Sequence, residues 1–474
     1  MTTKGDGAAP ADPPVRSRRR SGQSALRRDA DLWAKFLKAW TLGSLRVQPP
    51  LPPGPLGPRS ISRFGDHNFF RRRWQRFGPI FKYIFSRRLT IGVGGFQRAR
   101  QLFREHGEAL SPATVNISAF VPHGHLRSMT SPHHEQYRSQ FNLALHGDVI
   151  TAWDATLRAI ALDELTRLAD ATARGTPPKE LMVPTLDRIT LRWLLLLSYG
   201  LRPDDGTFRS LEAAHMKMGP SGFVYPLGPP QHEAFAELRS LVTQIAASIR
   251  TAGRSDAGDS ALRRLPTASL EPEVDPTIVG NLIFMVEMGR YDLRGLLRWI
   301  LKYLSDHPAV VTELRRLRDA GGGLQDYARA CVQETLRLDQ ASGLLRNVVK
   351  DFTFEGYRFP AGSLVRVLTW ESHRDATSFQ NPDEYRPDRF VQPAHDPDNY
   401  APFGIGEHRC IAAQMVVRLS TLFIEVLINN FTWRVVGDGP RFYGKFHWEP
   451  SLDFAIELHP RAAADLPVGE ALPS

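Results

Sequence analysis

Cysteine is the scarcest residue in this sequence, with two in 474 residues, Cys331 and Cys410. Two cysteines in so long a chain cannot form a secreted disulfide framework, and they fit a reducing, intracellular setting. Long hydrophobic runs are also missing. The longest, Trp193 to Leu197 and Leu282 to Val286, are too short for a signal-peptide core or a membrane span. We therefore expect a cytoplasmic protein.

Lysine is also scarce, because only nine of the 60 basic residues are lysines, and the net charge of +10 comes from arginine. Much of this excess lies near the N-terminus, between Arg16 and Arg28. An excess of positive charge can bind nucleic acid, an anionic membrane or an acidic protein partner. No nucleic-acid-binding motif accompanies it, so we expect no nucleic-acid partner and interpret most of these arginines as a solvated surface.

The two ends of the chain are predicted to lie outside the folded body. Residues 1–28 are rich in Gly, Ala, Pro, Ser and Arg and are expected to be a disordered basic tail, and residues 461–474 a flexible C-terminus. Residues 29–47 can form a short amphipathic helix, which either packs on the protein body or rests on a membrane surface as a peripheral contact. An extended, proline-rich connector follows at residues 49–55.

Between these ends, the sequence predicts one large domain over residues 48–460, mainly α-helical with a smaller β part. Helical periodicity dominates from residue 150 to residue 345, and short β-branched and aromatic runs flank it. No internal repeat is visible. The predicted helices include Ala152 to Ala173, Thr185 to Ser198, His232 to Ala252, Pro276 to Ser305, Pro308 to Ala320 and Ala412 to Asn429. The predicted strands include Ile80 to Ile84, Leu89 to Val93, Val348 to Phe354 and Ser363 to Trp370.

The segment from Phe403 to Ala413 carries the strongest chemical signal. Two glycines flank Ile405 and predict a tight turn, where the backbone folds back or approaches a flat group. Cys410 follows at the start of a predicted helix, whose free N–H groups and positive dipole end stabilise a thiolate. The two residues before it add positive charge. A thiolate in this setting is a good ligand for a soft metal ion, whereas Cys331 is interpreted as a small buried apolar residue.

This loop resembles the haem-binding loop of the cytochrome P450 family, which has Phe, Gly and Cys at the spacing of Phe403, Gly406 and Cys410. The resemblance implies a single large triangular domain, mainly α with a small β part, and haem b as cofactor with Cys410 as the axial iron ligand. It also implies that Phe403 packs near the sulfur and that His408 faces a haem propionate. Ala412 departs from the family, which usually has Gly there.

A set of charges before the loop resembles the same family in order and spacing. Glu334 and Arg337 stand three residues apart on one predicted helix face. Arg389 follows in the segment from Arg386 to Phe390. In the family, these three charges form a buried network, whereas an isolated Glu–Arg pair is more often an ordinary surface ion pair.

Two basic segments resemble the propionate ligands of the family. His134 and Arg138 stand four residues apart on one predicted helix face, a spacing that points both side chains at one target. Arg346, after the Glu–Arg helix, resembles another propionate ligand. A solvated basic residue is the competing interpretation for each of the three.

The helix predicted to cross the oxygen side of the haem, Pro276 to Ser305, departs from the family. Members usually carry an acid followed by a threonine, which relay protons to dioxygen. In the ungapped register, Tyr291 stands in place of the acid and Asp292 in place of the threonine. Asp292 can donate a proton if burial raises its pKa, and Tyr291 can donate at a different angle. Alternatively, the enzyme uses peroxide, or rearranges, dehydrates or couples its substrate without this relay.

The same helix carries arginines every four positions, Arg290, Arg294 and Arg298, beside Glu287. Because the helix is largely buried in the family, these charges need partners. Either Glu287 and Asp292 pair with Arg290 and Arg294 as structural salt bridges, or an arginine binds an acidic substrate group that assists catalysis. The candidate catalytic residues are therefore Asp292, Tyr291, Glu287 and Arg290.

The function that the resemblance implies is that of a monooxygenase-type oxidoreductase. Its substrate would be a small, largely apolar natural product of secondary metabolism, with or without a carboxylate. The predicted substrate-facing segments are Pro112 to His125, Met216 to Leu227 and Gln340 to Leu345. The sequence has no flavin or iron–sulfur domain, so electrons would come from a separate ferredoxin or flavodoxin with its reductase. A third interpretation, a catalytically silent homologue that activates a partner enzyme, is disfavoured because Cys410 is retained.

Overall fold

The computed structural model describes residues 30, 33–34, 49–55, 66–114, 120–219, 227–252, 258–266, 269–270, 273–339, 343–392, 396–444 and 447–461. The predicted basic tail lies outside this set, as do nearly all residues of the predicted amphipathic helix and of the predicted C-terminal tail. These three interpretations stay predictions.

Internal contacts divide the chain into two units. One consists of Met1–Pro52 together with Thr353–Arg358, and the other of Pro53–Phe352 together with Phe359–Ser474. All candidate site residues predicted from the sequence belong to the second unit.

Helices account for most of the described chain. They are α1 (Phe69–Phe77), α2 (Phe96–His106), α3 (His133–Ala144), α4 (Asp154–Ala173), α5 (Pro178–Tyr199), α6 (Gly206–Lys217), α7 (Pro229–Ala252), α8 (Ala261–Arg264), α9 (Pro276–Asp306), α10 (Pro308–Asp319), α11 (Leu324–Leu338), α12 (Thr369–Ser372), α13 (Asp388–Val391) and α14 (Ala413–Asn430).

Helix α9 is 31 residues long and forms the wall on which the site is built. Asp275 caps its N-terminus by accepting a 2.7 Å hydrogen bond from the Thr277 N–H, and Pro276 occupies the first turn, where no N–H is needed. Buried residues recur on every side of α9, as expected of a helix that runs through the protein interior.

The strands are short. They are β1 (Ile80–Phe85), β2 (Arg88–Val93), β3 (Leu110–Pro112), β4 (Leu344–Val348), β5 (Phe352–Phe354), β6 (Tyr357–Phe359), β7 (Leu364–Val367), β8 (Phe431–Gly437), β9 (Phe442–Tyr443), β10 (Trp448–Glu449) and β11 (Ala455–Pro460). Five of them form one sheet in the order β1-β2-β7-β4-β3, in which only β2 and β7 pair in parallel. The others form two-stranded pairs, β5 with β6, β8 with β11 and β9 with β10.

The hairpin of β1 and β2 confirms the first two predicted strands. Ser86 and Arg87 join them with φ of 48° and 62°, the paired positive φ values of a tight hairpin turn whose twist matches its strands. The predicted strand from Ser363 to Trp370 is shorter than expected, because the chain leaves the sheet after Val367 and turns into α12.

The largest apolar cluster lies between α4, α5, α9, α11 and α14. Trp193 of α5 is fully buried there, and its indole N–H donates to the Leu157 carbonyl oxygen at 2.8 Å. Cys331 lies in the same cluster at 0% exposure, and burial raises the pKa of its thiol far above the ordinary value. The interpretation of Cys331 as a small buried residue is confirmed.

The predicted fold class, mainly α with a small β part, is confirmed. Among the described helices, none combines the length and the apolar character needed to cross a lipid bilayer.

Candidate active site

The loop before α14 folds as the glycine pattern predicts. Gly404 and Gly406 have φ of +83° and +73°, left-handed values that glycine adopts without strain. The loop closes on itself, because the Cys410 N–H donates to the Phe403 carbonyl oxygen at 2.9 Å. Cys410 precedes the cap residue of α14, Ala412.

The Cys410 thiol lines a recessed cavity. Cys410 is accessible to solvent, yet desolvation by the surrounding protein raises the pKa of its thiol. A side chain with both properties lies inside the protein but against open space. The carboxylate of Asp292 also raises this pKa, whereas the Ala412 backbone N–H, which donates to the sulfur, and the charges of Arg138 and Arg127 lower it.

Basic side chains cluster beside the sulfur. His134 and Arg138 come from α3, Arg346 from β4, and His408 from the loop. The rings of His134 and His408 have centroids 4.1 Å apart. Nε2 of His134 and Nδ1 of His408 are buried and have no hydrogen-bond partner in the described part of the chain. Burial and neighbouring positive charge lower the pKa of His134 and hold that of His408 at about 3.

Arg346 is the most deeply placed cation of this cluster. It is 8% exposed, and its guanidinium donates to the Leu345 carbonyl oxygen at 2.9 Å. Burial and the charge of Arg127 lower its pKa to about 10, against the opposing effect of Glu407. Glu407 is the carboxylate nearest to the two imidazoles, and it leaves their buried nitrogens without a hydrogen bond. Buried polar atoms without partners are costly, so the cluster fits a bound anionic group.

The predicted charge network is confirmed. Glu334 and Arg337 are both 0% exposed, and Arg337 donates to the two carboxylate oxygens at 2.7 and 2.8 Å. Arg389 donates to Oε1 of Glu334 at 3.1 Å and to the carbonyl oxygens of Gln380 and Asn381 at 2.6 and 2.9 Å. The network therefore fixes the irregular segment that leads to the cysteine loop.

The two neighbours on α9 face different surroundings. The Asp292 side chain is 54% exposed, yet burial raises its pKa, and its charge raises the pKa of Cys410, so the carboxyl group lies in a recess near the sulfur. Its Oδ1 lies 3.6 Å from Nε2 of His447. Tyr291 is 2% exposed and donates its hydroxyl to Oε1 of Glu449 at 3.0 Å. Asp292 is therefore the member of the pair that faces the cavity, while Tyr291 is part of its wall.

The other charges of α9 are paired inside the protein. Oε1 of Glu287 lies 2.6 Å from Nδ1 of His215 and 3.7 Å from Nη1 of Arg290. Nε of Arg290 and Nη1 of Arg294 each donate to Oδ1 of Asp187 at 2.9 Å. All five side chains are at most 7% exposed.

These pairs correct one prediction. Glu287 does pair with Arg290, but the carboxylate that serves both arginines is Asp187 of α5, where the sequence suggested Asp292. The reason is packing, because α5 brings Asp187 to the buried face of α9. Glu287 and Arg290 are enclosed by these partners, which favours the salt-bridge alternative, while a catalytic role for them stays a prediction.

Arg127 is a site residue that sequence reasoning missed. Its loop is tied to α9, because the Leu126 N–H donates to Oδ1 of Asn281 at 2.7 Å. The Arg127 side chain is exposed and makes no hydrogen bond or ion pair with any residue that the structure describes. Its charge lowers the pKa of both Cys410 and Asp292. It lies two residues beyond the end of a predicted substrate-facing segment, and only the tertiary contact with Asn281 reveals it.

The predicted substrate-facing segments are described in part, with residues 115–119, 220–226 and 340–342 outside the described set. Of their described residues, Val121 packs against Gly280 of α9, where a Cβ would lie 2.7 Å from the Val121 side chain. Glycine at this position lets the loop approach the helix.

Comparisons with known proteins agree with this geometry. A family model described as Cytochrome P450 matches residues 296–444. Cytochrome P450 98A1 of Sorghum bicolor is 25% identical over 77% of this chain and 80% of its own length. The solved structure of retinoic acid bound cyanobacterial CYP120A1 superposes with a TM-score of 0.70 and 21% identity, covering 87% of this chain and 100% of that one. Residues 296–444 thus match the Cytochrome P450 family model, and the chain has the fold of the solved cytochrome P450 structures.

The family that residues 296–444 match carries haem b with a cysteine thiolate ligand. His134, Arg138, Arg346 and His408 would hold the two propionates of such a haem. Abscisic acid 8'-hydroxylase 1 of Arabidopsis thaliana is 32% identical, but the match spans 37% of this chain and 41% of that enzyme. The chain thus matches less than half the length of this relative, and the likeness does not fix its substrate.

Proposed function

We propose that the chain is a haem-thiolate monooxygenase that oxidises a small, largely apolar natural product, with Cys410 as the iron ligand. The observation that carries this proposal is the recessed Cys410 thiol beside Nε2 of His134 and Nδ1 of His408, two buried nitrogens without a hydrogen-bond partner in the described chain. The Ala412 N–H and the charge of Arg138 both favour the thiolate. Haem, once bound, supplies the electron-transfer and oxygen chemistry.

The test of this assignment is Cys410→Ser, with Cys331→Ala as the matched control, since the sequence has these two cysteines and no others. We expect Cys410→Ser to lose the thiolate-type Soret band of the reduced, carbon-monoxide-treated protein. Cys331→Ala should keep it. A Cys410→Ser protein that retains the band would overturn the assignment.

Asp292 is the residue proposed to deliver protons to the cavity. Burial raises its pKa, so it takes up a proton more readily than an exposed aspartate and can pass that proton on as a general acid. Retention of this donor favours use of dioxygen over peroxide or oxygen-free chemistry. Turnover with labelled dioxygen, reductase and electron donor should place label in the product, and turnover with hydrogen peroxide alone would favour the alternative.

We further propose that the substrate carries a carboxylate, which Arg127 binds. Arg127 is an exposed cation whose charge lowers the pKa of Asp292. It has no ion-pair partner in the described chain. An arginine in this setting suits bidentate binding of a carboxylate. Two related proteins support an apolar acid, one named for hydroxylation of abscisic acid and one solved with retinoic acid.

This substrate class is tested by spectral titration with an apolar acid and its methyl ester. Wild type should bind the acid more tightly, and Arg127→Gln should bring the two affinities together. Arg329→Gln, which alters an exposed arginine paired with Asp326, should behave as wild type. Equal affinities in the wild type would contradict carboxylate recognition, and loss of haem from Arg127→Gln would place the residue on a propionate instead.

Electrons are proposed to come from a separate acidic protein of the ferredoxin or flavodoxin type. Arg409, next to the cysteine loop, is exposed, and its carbonyl oxygen accepts from Arg138 at 2.9 Å. An exposed cation here suits an acidic partner. The rate of reduction by such a protein should fall as ionic strength rises, and a rate independent of salt would contradict this docking.

A further inference from the structure

Asp292 is contacted by a side chain that is distant in the sequence. Nε2 of His447 lies 3.6 Å from Oδ1 of Asp292, and the His447 side chain is 4% exposed. This nitrogen has no hydrogen bond within the described chain. The other ring nitrogen, Nδ1, lies 3.1 Å from the Trp448 carbonyl oxygen, which can only accept, so Nδ1 carries a proton. Nε2 is therefore the nitrogen that exchanges protons, and it faces the carboxyl group of the cavity wall.

The segment that carries His447 is clamped to α9. Three side chains of α9 donate hydrogen bonds to the two residues that follow His447, so the imidazole has a fixed position relative to the helix. They are Tyr291 to Oε1 of Glu449 at 3.0 Å, Arg298 to Oε2 of Glu449 at 2.8 Å and Trp299 to the carbonyl oxygen of Trp448 at 2.9 Å. The Tyr291 and His447 rings also pack together, with centroids 4.8 Å apart.

We propose that His447 positions Asp292 and stores the proton that Asp292 delivers into the haem cavity, an inference that rests on the proposed monooxygenase function. In the resting pair, His447 carries both ring protons and Asp292 is a carboxylate. The N–H bond at Nε2 breaks as an O–H bond forms at Oδ1, and Asp292 then passes that proton into the cavity. This leaves neutral His447 and the Asp292 carboxylate, and one proton from solvent restores Nε2–H.

The charged groups around Asp292 determine the direction in which its pKa should change when His447 is replaced. Burial raises the pKa of Asp292, and the carboxylate of Glu449 raises it as well. The charges of His447, Arg127 and Arg294 lower it, with His447 the strongest of the three. Replacing His447 by a neutral side chain removes that charge, so the pKa of Asp292 should rise.

The decisive comparison is His447→Asn against His459→Asn. His459 lies at the same 3.6 Å from Glu457 but is 51% exposed, so it controls for loss of a histidine beside an acid. Infrared spectra of the ferric, haem-loaded protein follow the carboxylic C=O band that Asp292→Asn removes. In His447→Asn, the pH midpoint of this band should rise by about one unit or more, and in His459→Asn it should stay. An unmoved midpoint in His447→Asn overturns the proposal.

Turnover supplies a second readout, which a purely structural role would not give. With dioxygen and reductase, His447→Asn should lower kcat roughly tenfold or more at an unchanged KM, and hydrogen peroxide should be released in place of product. His447→Gln can hydrogen-bond but cannot carry the proton, so it should not rescue kcat. Full rescue by Gln would refute proton storage.

The infrared measurement needs no substrate, so it separates the two proposals. A wild-type protein that oxidises nothing would count against the proposed function. The shift of the Asp292 band would still show whether His447 controls the pKa of Asp292. If the His447 variants take up no haem, the reciprocal measurement replaces them. Nuclear magnetic resonance of labelled histidine should show that Nε2 of His447 loses its proton at lower pH in Asp292→Asn than in the wild type. The same pH of proton loss in both proteins would overturn the pairing.

Discussion

One kind of ion pair occurs in this protein both in the interior and at the surface. Glu334 and Arg337 of α11 stand three residues apart, 2.7 Å from each other, and are both 0% exposed. Glu313 and Arg316 of α10 have the same spacing and the same 2.7 Å distance, but are 36% and 62% exposed. Water solvates the second pair in the folded and the unfolded chain, whereas the first pair has only protein partners.

Glu334→Ala should therefore destabilise the protein far more than Glu313→Ala. The first change leaves Arg337 buried without its carboxylate and should cost about 3–5 kcal/mol. The second should change stability little, because water takes the place of the lost partner. Denaturant unfolding of the two haem-loaded variants measures the difference, and equal small losses would show that the buried pair does not hold the fold.

At the residue scale, the sequence predicts the local features of the site and misses the distant ones. The turn at Gly404 and Gly406 and the spacing of Glu334 and Arg337 are set by neighbours in the chain, so the residues themselves reveal them. His447 reaches Asp292 from a separate strand segment, and nothing near either residue in the sequence indicates the pairing.

At the scale of the element, α9 carries a row of arginines that its burial would make unstable without partners. Arg290 and Arg294 share Asp187 of α5, whereas Arg298 turns to Glu449 and the carbonyl oxygens that follow it. This arginine stripe (Arg290, Arg294 and Arg298) is thus paired partly with a neighbouring helix and partly with the β10 segment. It fixes about 12 Å of the helix, from Arg290 to Arg298, in register with the cavity.

Asp187→Ala should test whether this stripe is structural. The change leaves two buried arginines without their shared carboxylate and should cost about 3–5 kcal/mol. The control is Asp306→Ala, which removes one 41% exposed partner of Lys302 and leaves the other, Asp438, in place, and should cost about 0–1 kcal/mol. Unfolding measures stability, and spectral titration measures ligand binding by the folded fraction. Loss of ligand binding with unchanged stability would assign the arginines to the substrate instead.

Element boundaries show the same limit of sequence reasoning. The helix predicted from Pro276 to Ser305 ends one residue later in the structure, because Pro276, the Asp275 cap and the apolar pattern are all local signals. The predicted strand from Ser363 to Trp370 is strand only over Leu364–Val367. Its β-like composition continues, but the sheet partner ends, since Leu364–Val367 pairs with residues of β2 that stop at Val93.

Across the whole molecule, several histidines are held neutral by burial. Burial and the charges of Arg441, Arg374 and Arg71 lower the pKa of His67 to about 3. Nε2 of His67 faces Nη1 of Arg441 at 3.2 Å, a contact that requires its lone pair. Burial lowers the pKa of a second histidine, His125, to about 4.

These shifts predict that the fold weakens in acid. Above the unfolded pKa of His67, 6.5, neither the folded nor the unfolded chain binds the proton, and this histidine has no effect on stability. As pH falls below that value, the unfolded chain takes up a proton that the folded chain refuses, so stability declines until the folded pKa near 3 is reached. Each such histidine contributes at most about 1.4 kcal/mol per pH unit.

His67→Gln keeps an acceptor for Arg441 but cannot take up the proton, so its stability should fall less steeply with acid than that of the wild type. His459→Gln, at an exposed position, should follow the wild-type curve. The measurement is the free energy of unfolding in denaturant from about pH 8 to about pH 5. A His67→Gln protein whose curve runs parallel to the wild type over this range would show that the imidazole is protonated to the same extent in the folded and the unfolded chain.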